Sequence, residues 1–316
     1  MPAPFAAIAR DHGTWLIQAA AAAALELGLW DALVAGRLVR WSDQQTIAPH
    51  RLDALLRVLA LRGHARRGGD GRWQAGRTPD WIAVPRTGWG QMAEVFRSGV
   101  PLLAGPVPGD PGEVGLRQGY HDHLWEQARA PAAEVATAIL RGQAKGGHLL
   151  DLGAGSGAWT DAYLRADPGV RATVVDCAPV LDIAHARLAP WQGQTTFEEA
   201  DLRTRAASGT FDVVLLVHVL HLYPPHEAAD LVLRAAGNVA PGGRLFVIEM
   251  DLDADRLGPA ASVLFDLDLA LHTDGGRVHR AAEVLRWVEA AGLVAGDGGR
   301  LETAPQVAVV IGHRGP

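Results

Sequence analysis

The sequence predicts an α/β protein in which a doubly wound sheet follows a smaller, mainly helical N-terminal domain. Three observations support this fold class. From residue 148 onward, short apolar runs alternate with helical patterns, as expected of a parallel sheet covered on both faces. Glycines follow directly after the first of these runs, in residues 151–157. Before residue 98, helical patterns dominate.

The composition is that of a globular protein. The chain has 316 residues, of which 48% are hydrophobic and 20% charged, and this length favours two domains. The net charge of -6 argues against general binding to nucleic acid or anionic membranes. Cys177 is the only cysteine, so an internal disulfide is excluded, and we expect no metal site.

The N-terminal apolar stretch does not predict membrane association. Residues 15–25 are fewer than the roughly 20 apolar residues that a spanning helix needs. Arg10 is followed by Asp11, so the basic start of a signal peptide is missing. We therefore expect a cytoplasmic protein.

Helical patterns organise the first part of the chain. We expect a helix over 14–35 that is interrupted at Gly28, a second helix from Asp53 to Arg62, and a hairpin with its turn at Gly68–Gly71. Helices followed by a hairpin are the parts of a winged helix. Residues 98–119 are rich in Gly and Pro and predict a long loop that could act as a lid, followed by a helix over Tyr120–Arg141.

The second part of the chain predicts the sheet. We expect the N-terminal winged-helix-like domain to span residues 1–85 and the sheet domain to span residues 146–316. Residues 86–145 would form a helical linker and lid region between them. Helices are expected from Ala158, over 179–188 and over Pro225–Val239. A final strand over Pro305–Gly312 is expected to be antiparallel at the sheet edge. The other predicted strands are His148–Asp151, Ala172–Asp176, Thr195–Glu198, Phe211–Val217 and Arg244–Glu249.

The loop after the first predicted strand carries the strongest functional signal. Asp151 is followed by Gly153, Gly155 and Gly157, and glycines between a strand and a helix let the backbone pass close to a ligand. Asp176 ends the next strand, where a carboxylate can accept ribose hydroxyls. A tight turn without a ligand is the alternative. The spacing differs from the G-x-G-x-x-G of nicotinamide enzymes.

This combination resembles the class I methyltransferases, which bind S-adenosylmethionine (SAM) on a Rossmann-like sheet. From about residue 14 to 312 the chain resembles the two-domain O-methyltransferases of plant and bacterial natural-product pathways. The resemblance implies SAM as cofactor, S-adenosylhomocysteine as product and a small-molecule acceptor bound between the domains. It also implies a homodimer formed through the N-terminal domain.

The resemblance also implies a general base. The family has a histidine motif after the central strand, and His221 takes the place of its catalytic histidine. Leu222 stands where the family has an aspartate. Glu249 matches the family's orienting glutamate, whereas Val278 replaces a further acidic residue. A structural role for His221 and Glu249, as hydrogen-bonded strand-end residues, is the alternative.

The remaining candidate site residues fall into two groups. In the first, Asp201 is expected near an adenine edge, and Cys177 is expected to pack near the adenine without acting as a nucleophile. The full cofactor set is Asp151, Gly153, Gly155, Gly157, Asp176, Cys177, Asp201, Leu202 and His218. The residues of the second group are expected to line the acceptor pocket, and packing in the protein core is the alternative role for each. This set comprises Met92, Tyr120, His121, Trp125, Phe265 and His272.

Other functions stay open at this point. C- or N-methylation, or a reaction other than methyl transfer on the same fold, would need no strong base. A winged-helix regulator would use Arg66, Arg67 and Arg72 against phosphates. A solvated hairpin explains these arginines better, because the chain is acidic overall.

Overall fold

A computed structural model describes residues 16–38, 47–76, 91–101, 111–141 and 146–316, with side chains omitted for 111–120. The chain forms two compact units. The helical unit contains residues up to 105 together with Leu222–Pro224 and Leu252–Val278. The sheet unit contains the rest. The domain boundaries at residues 85 and 145 remain predictions.

The described elements are numbered in chain order. Helix α1 spans 16–26. The other helices are α2 (Leu29–Val34), α3 (Pro49–Leu61), α4 (Met92–Ser98), α5 (Pro111–Leu140), α6 (Ala158–Ala166), α7 (Ala178–Arg187), α8 (Pro225–Gly237), α9 (Ala260–His272) and α10 (Ala281–Ala290). The strands are β1 (Ala65–Arg67), β2 (Trp73–Ala75), β3 (Gly147–Leu152), β4 (Val170–Asp176), β5 (Thr195–Glu199), β6 (Phe211–Val217), β7 (Val239–Met250), β8 (Val294–Ala295), β9 (Gly299–Arg300) and β10 (Val307–His313).

The helical unit matches most of its predicted elements. Gly28 separates α1 from α2 with a left-handed φ of 69°, a conformation that glycine adopts without strain. β1 and β2 form the expected antiparallel hairpin. Helix α3 begins at Pro49 rather than at Asp53, because proline fits the first turn of a helix, where its missing N–H costs nothing. The classification of this unit as a winged helix stays a prediction.

A buried ion pair joins α3 to α9 inside the helical unit. The Arg57 guanidinium donates to the Asp266 carboxylate over 2.5 Å, and both side chains are almost fully buried. The other Asp266 oxygen accepts the backbone N–H of Val278 at 2.6 Å. Asp266 therefore links α9 both to α3 and to the backbone at Val278, the last residue of this segment of the helical unit.

The predicted loop over 98–119 is wrong from residue 111 onward. Helix α5 begins at Pro111 instead of Tyr120 and continues through the internal Pro131. A first-turn proline favours the start of a helix, and helical glycines cost only about 1 kcal/mol each, so composition alone misplaced the boundary. Residues 102–110 of the predicted lid lie outside the described part of the chain.

The sheet unit contains a mostly parallel sheet with the strand order β5-β4-β3-β6-β7-β10-β8. The first five strands run parallel, and β10 is antiparallel to β7. The prediction that the last strand forms the edge was wrong. Strands β8 and β9 pair with its other side, but each has only two residues and leaves little pattern in the sequence.

The strand register brings the candidate site residues to the side of the sheet where the parallel strands have their carboxyl ends. Leu152 pairs with Val175 on one side and with Leu216 on the other, and Val217 pairs with Ile248. Asp151, Asp176, His218 and Glu249 therefore lie at the carboxyl ends of neighbouring strands, which is where ligands bind in open α/β sheets. Among the described residues, no helix is both long and apolar enough to cross a membrane.

Candidate active site

The glycine loop between β3 and α6 has the backbone that its sequence predicts. Gly153, Gly155 and Gly157 all have left-handed φ angles of 56–78°. A Cβ at Gly153 would lie 2.5 Å from Val219, so this turn requires glycine. A Cβ at Gly155 would meet nothing closer than the His121 ring at 4.0 Å. The loop is therefore packed beneath Gly153 and open above Gly155.

Asp151 lies beneath this loop at the end of β3. It is 1% exposed, and its carboxylate accepts a hydrogen bond from the Thr160 hydroxyl at 2.7 Å. Burial raises the pKa of Asp151 to about 6, the Thr160 hydrogen bond lowers it and the charge of Asp176 adds to the rise. A nearby cation would stabilise the ionised form, and the ammonium group of an amino acid has the required charge.

Asp176 holds the glycine loop against the end of β4. One carboxylate oxygen accepts the N–H of Gly155 at 2.9 Å, and the other accepts the N–H of Cys177 at 2.7 Å. Each oxygen keeps a further acceptor position, since a carboxylate offers about four lone-pair sites. The half-buried carboxylate can thus accept hydroxyl donors while it orders the loop.

Three further cofactor candidates surround these strand ends. Leu202 is buried, and one of its methyl groups would lie 3.3 Å from a Cβ at Gly153. Cys177 is exposed as a residue, but partial burial of its thiol and the charge of Asp176 raise the pKa of the thiol, which argues against a thiolate. Asp201 is exposed and paired with Arg203 at 2.8 Å, and the Arg203 hydrogen bonds lower its pKa.

Helix α5 brings aromatic residues to the glycine loop, within the sheet unit. His121 is buried and is the side chain nearest to the open position above Gly155. Trp125 is half-buried, with the Arg187 guanidinium 4.7 Å from its ring centroid. Arg187 also pairs with Asp122. The Tyr120 side chain lies outside the described residues.

The other acceptor-pocket candidates belong to the helical unit. Met92 is 1% exposed, as a core residue would be. Phe265 and His272 on α9 are half-buried. His272 Nδ1–H donates to the Asp268 carbonyl at 2.9 Å, so this ring has a partner on its own helix. Their contact with an acceptor stays a prediction.

His221 and Glu249 meet at the ends of β6 and β7. His221 Nδ1 lies 2.7 Å from Glu249 Oε2, and both groups are buried. Glu249 Oε1 accepts the N–H groups of Val219 and Leu220 at 2.8 and 2.7 Å. Three donors therefore fix the carboxylate and, through it, the imidazole.

Electrostatics keep Glu249 ionised. Burial alone would raise its pKa, but the positive charge that His221 and His218 carry when protonated, together with the His221 hydrogen bond, outweighs burial and holds the pKa well below its usual value. An ionised carboxylate only accepts hydrogen bonds, so His221 carries its proton on Nδ1. In the neutral imidazole, Nε2 is then the nitrogen that carries no proton.

His218 lies beside this pair in a constrained backbone conformation. It has a positive φ of 53°, which is uncommon for a residue other than glycine, and its N–H donates to the Ile248 carbonyl at 2.9 Å. Its Nδ1 is 3.8 Å from Glu249 Oε2. The sequence placed His218 near the cofactor, and the structure adds that it faces the Glu249 carboxylate.

Sequence reasoning missed three supporting residues. Thr160 binds Asp151, Asp266 binds the Val278 backbone, and the buried His279 ring lies 3.1 Å from the Leu220 carbonyl. Thr160 follows the glycine loop by one helical turn, which is a signal that could have identified it. The Asp266 and His279 contacts join distant segments and leave no local pattern.

A parallel sheet with this strand order, a glycine loop after β3 and carboxylates on the adjacent strand ends defines a SAM-dependent methyltransferase of the class I type. The family model described as an O-methyltransferase domain matches residues 124–294, more than half of the chain. The chain belongs to this O-methyltransferase family.

Known relatives agree with this assignment. A 3-hydroxy-5-methyl-1-naphthoate 3-O-methyltransferase from Streptomyces sahachiroi is 26% identical over 310 residues, covering 89% of this chain and 86% of the relative. An O-methyltransferase family 2 protein from Planctomyces limnophilus, solved with apigenin, superimposes with a TM-score of 0.69 at 22% identity, covering 96% and 93% of the chains. Human N-acetylserotonin methyltransferase, solved with SAM, superimposes with a TM-score of 0.58 at 19% sequence identity. The match covers 100% of this chain and 99% of the human chain.

Proposed function

We propose that this enzyme transfers the methyl group of SAM to a hydroxyl group of a small aromatic molecule of secondary metabolism, with His221 as general base. The observation that carries the proposal is the buried His221–Glu249 pair, with its 2.7 Å contact. The carboxylate selects the imidazole tautomer and fixes the ring, so Nε2 can accept a proton without reorganisation.

The chain's own residues supply positioning and proton transfer. The acceptor oxygen forms a bond to the methyl carbon as the carbon–sulfur bond breaks, and His221 Nε2 takes the hydroxyl proton. The products are the methyl ether, S-adenosylhomocysteine and an imidazolium ion that Glu249 stabilises. Holding the two reactants in line can supply about 7–11 kcal/mol of the barrier, and a placed base adds about 10²–10⁴-fold.

The cofactor would lie on the glycine loop. In this proposal Asp151 attracts the ammonium group of the amino-acid tail, Asp176 accepts the ribose hydroxyls, and Asp201, Leu202 and Cys177 border the adenine. The raised pKa of Asp151 supports the first contact, because a buried carboxylate of this kind gains most from a cationic partner.

The acceptor is proposed to be an acidic phenol or naphthol. Leu222 and Val278 stand where the resemblance places acidic residues, so Glu249 is the carboxylate that supports His221. A hydroxyl on an extended aromatic ring loses its proton readily and needs less help from the base. The Streptomyces sahachiroi relative, named for a hydroxynaphthoate substrate, fits this class of acceptor.

The direct test is product mass with a panel of hydroxylated aromatic compounds. Wild type should add one methyl group and release S-adenosylhomocysteine. His221→Asn should lower kcat about 10²–10⁴-fold while S-adenosylhomocysteine still binds in calorimetry. His226→Asn is the matched control, since His226 is an exposed histidine on α8.

Two outcomes would contradict the proposal. Unchanged turnover in His221→Asn would remove the base. Methylation at carbon or nitrogen, or a product without an added methyl group, would replace O-methylation by one of the alternatives that the sequence left open.

We further propose that the enzyme works as a cytoplasmic homodimer formed through its N-terminal helices. Leu25 and Val34 lie on these helices and are 41% and 62% exposed, so a partner chain could cover them. Light scattering of the purified protein should give twice the chain mass, and Leu25→Glu with Val34→Glu should shift it to the monomer.

A further inference from the structure

We infer that His218, His221 and Glu249 form a binding site for one transition metal ion of the Zn²⁺ type, and that this ion would inhibit the enzyme. The sequence led us to expect no metal site. These side chains nevertheless offer two nitrogens and one oxygen, all within 4.8 Å of one another. Two histidines and one carboxylate are a ligand set that proteins use for Zn²⁺.

The distances suit coordination. Ligand atoms about 2.0–2.1 Å from a tetrahedral zinc ion lie about 3.4 Å from one another. The two separations at Glu249 Oε2 are 2.7 Å to His221 Nδ1 and 3.8 Å to His218 Nδ1, one on each side of this value. Small side-chain rotations would therefore suffice, and no backbone rearrangement is required.

Glu249 is prepared as a single-oxygen ligand. Its Oε1 is occupied by the N–H groups of Val219 and Leu220, which leaves Oε2 facing the two histidines. A carboxylate oxygen is a ligand that suits a divalent cation. The backbone contacts to Oε1 also act as the outer hydrogen bonds that orient a metal-binding carboxylate.

Metal binding would change the tautomer of His221. Coordination through Nδ1 displaces the proton that this nitrogen donates to Glu249, and the proton moves to Nε2 of the same ring. Nε2 then carries a hydrogen and cannot accept the proton of an acceptor hydroxyl. This inhibitory consequence rests on the proposed function, whereas metal binding does not.

His218 distinguishes this site from a simple histidine–carboxylate pair. Its side chain is 36% exposed, so solvent can reach the cluster from this side. Its Nδ1 lies 3.8 Å from Glu249 Oε2, and removal of this ring would leave two of the three ligands found among the described residues. His218 is thus the residue whose substitution tests the metal site separately from the base.

The test is calorimetric titration of the purified full chain with ZnCl₂, without SAM. Wild type should bind one equivalent, and His218→Gln should bind at least about tenfold more weakly, since even the loss of an outer contact to a metal ligand costs about 10–100-fold. His226→Gln, which removes an exposed histidine outside the cluster, should bind as wild type does. Thermal melting without metal checks that the variants fold.

The coordination geometry has its own readout. Co²⁺ bound in place of Zn²⁺ should give the intense visible absorption of a tetrahedral site in wild type, and a weak spectrum in His218→Gln. Equal Zn²⁺ affinity in wild type and His218→Gln, or no binding to wild type, overturns the metal site.

Turnover measurements separate this inference from the proposed function. The turnover of wild type should fall over the same range of Zn²⁺ concentrations in which calorimetry shows binding, and a chelator should restore activity. Binding without inhibition would remove the base role of His221 and leave the metal site standing. Activity that depends on His221 in a protein that binds no Zn²⁺ would leave the proposed function and remove the metal site.

Discussion

Asp151 and Glu249 occupy equivalent places in the sheet and have opposite protonation behaviour. Each lies at the carboxyl end of a parallel strand and is at most 5% exposed. Burial raises the pKa of Asp151 to about 6, whereas the pKa of Glu249 falls below its usual value. The difference lies in their partners. Asp151 faces the hydroxyl and backbone N–H of Thr160 and another carboxylate, whereas Glu249 faces two backbone donors and two histidines.

This contrast separates two kinds of site. Around Glu249 the chain itself supplies every partner of the ionised carboxylate, so the group is ready before any ligand arrives. Around Asp151 the Thr160 hydrogen bonds do not offset burial and the Asp176 charge, so its pKa stays raised, and the proposed cationic ligand would favour the ionised form. Equal burial therefore does not imply equal function.

Glu249→Gln should produce the largest effect. A glutamine can still accept both backbone N–H groups through one oxygen, but its amide would donate to His221 Nδ1 and move the imidazole proton to Nε2. We expect kcat to fall about 10²–10⁴-fold, measured by product formation. Unchanged kcat with the variant folded would show that the tautomer of His221 does not matter.

Asp151→Asn should stabilise the protein while weakening its cofactor binding. The folded-state pKa of about 6 exceeds the ordinary 3.8, so the folded wild type binds more protons and loses stability as pH rises from about 4 to about 6. Two pKa units correspond to about 3 kcal/mol. Urea unfolding should find Asp151→Asn more stable by up to that amount at pH 8, with a smaller difference at pH 4.

The stability measurement has a clear contrary result. Lower stability of Asp151→Asn at pH 8 would mean that the ionised carboxylate already has a stabilising partner. The comparison with Glu249 would then fail. S-adenosylhomocysteine affinity, measured in parallel, should be weaker in the variant at pH 8.

Thr160→Val should sharpen the comparison at Asp151 alone. The substitution keeps the shape of this fully buried side chain and removes the hydroxyl that donates to Asp151 at 2.7 Å. We expect about 1–3 kcal/mol lower stability at neutral pH and a further rise in the pKa of Asp151. Urea unfolding from pH 4 to 8 measures both, and a pH-independent loss would contradict the link to Asp151.

His218→Gln should have the smallest effect on stability. Its ring is partly exposed, and its Nδ1 lies 3.8 Å from Glu249 Oε2, which is too long for a hydrogen bond. Thermal unfolding should therefore change little. A loss comparable to that expected for Thr160→Val would show that His218, rather than the backbone, holds Glu249 in place.

The sequence predicted the parallel sheet because its strands are continuous apolar runs. The glycine motif indicated Asp151 and Asp176 as cofactor residues at two strand ends, and the family resemblance paired His221 with Glu249. The predicted start of helix α5 was nine residues too late, because Pro111 and the glycines in the first part of this helix are typical of a loop. The pair between Arg57 and Asp266 depends on the packing of α3 against α9, which no local pattern encodes.

The protonation of Asp151 has a consequence for the lifetime of the protein in a cell. If the cofactor's ammonium group is its missing partner, the empty enzyme at neutral pH keeps a strained, uncompensated charge in its interior. Relief of about 3 kcal/mol changes the unfolded fraction on the order of a hundredfold, and proteases act on that fraction. Enzyme abundance would then follow the supply of methyl donor without any dedicated regulator.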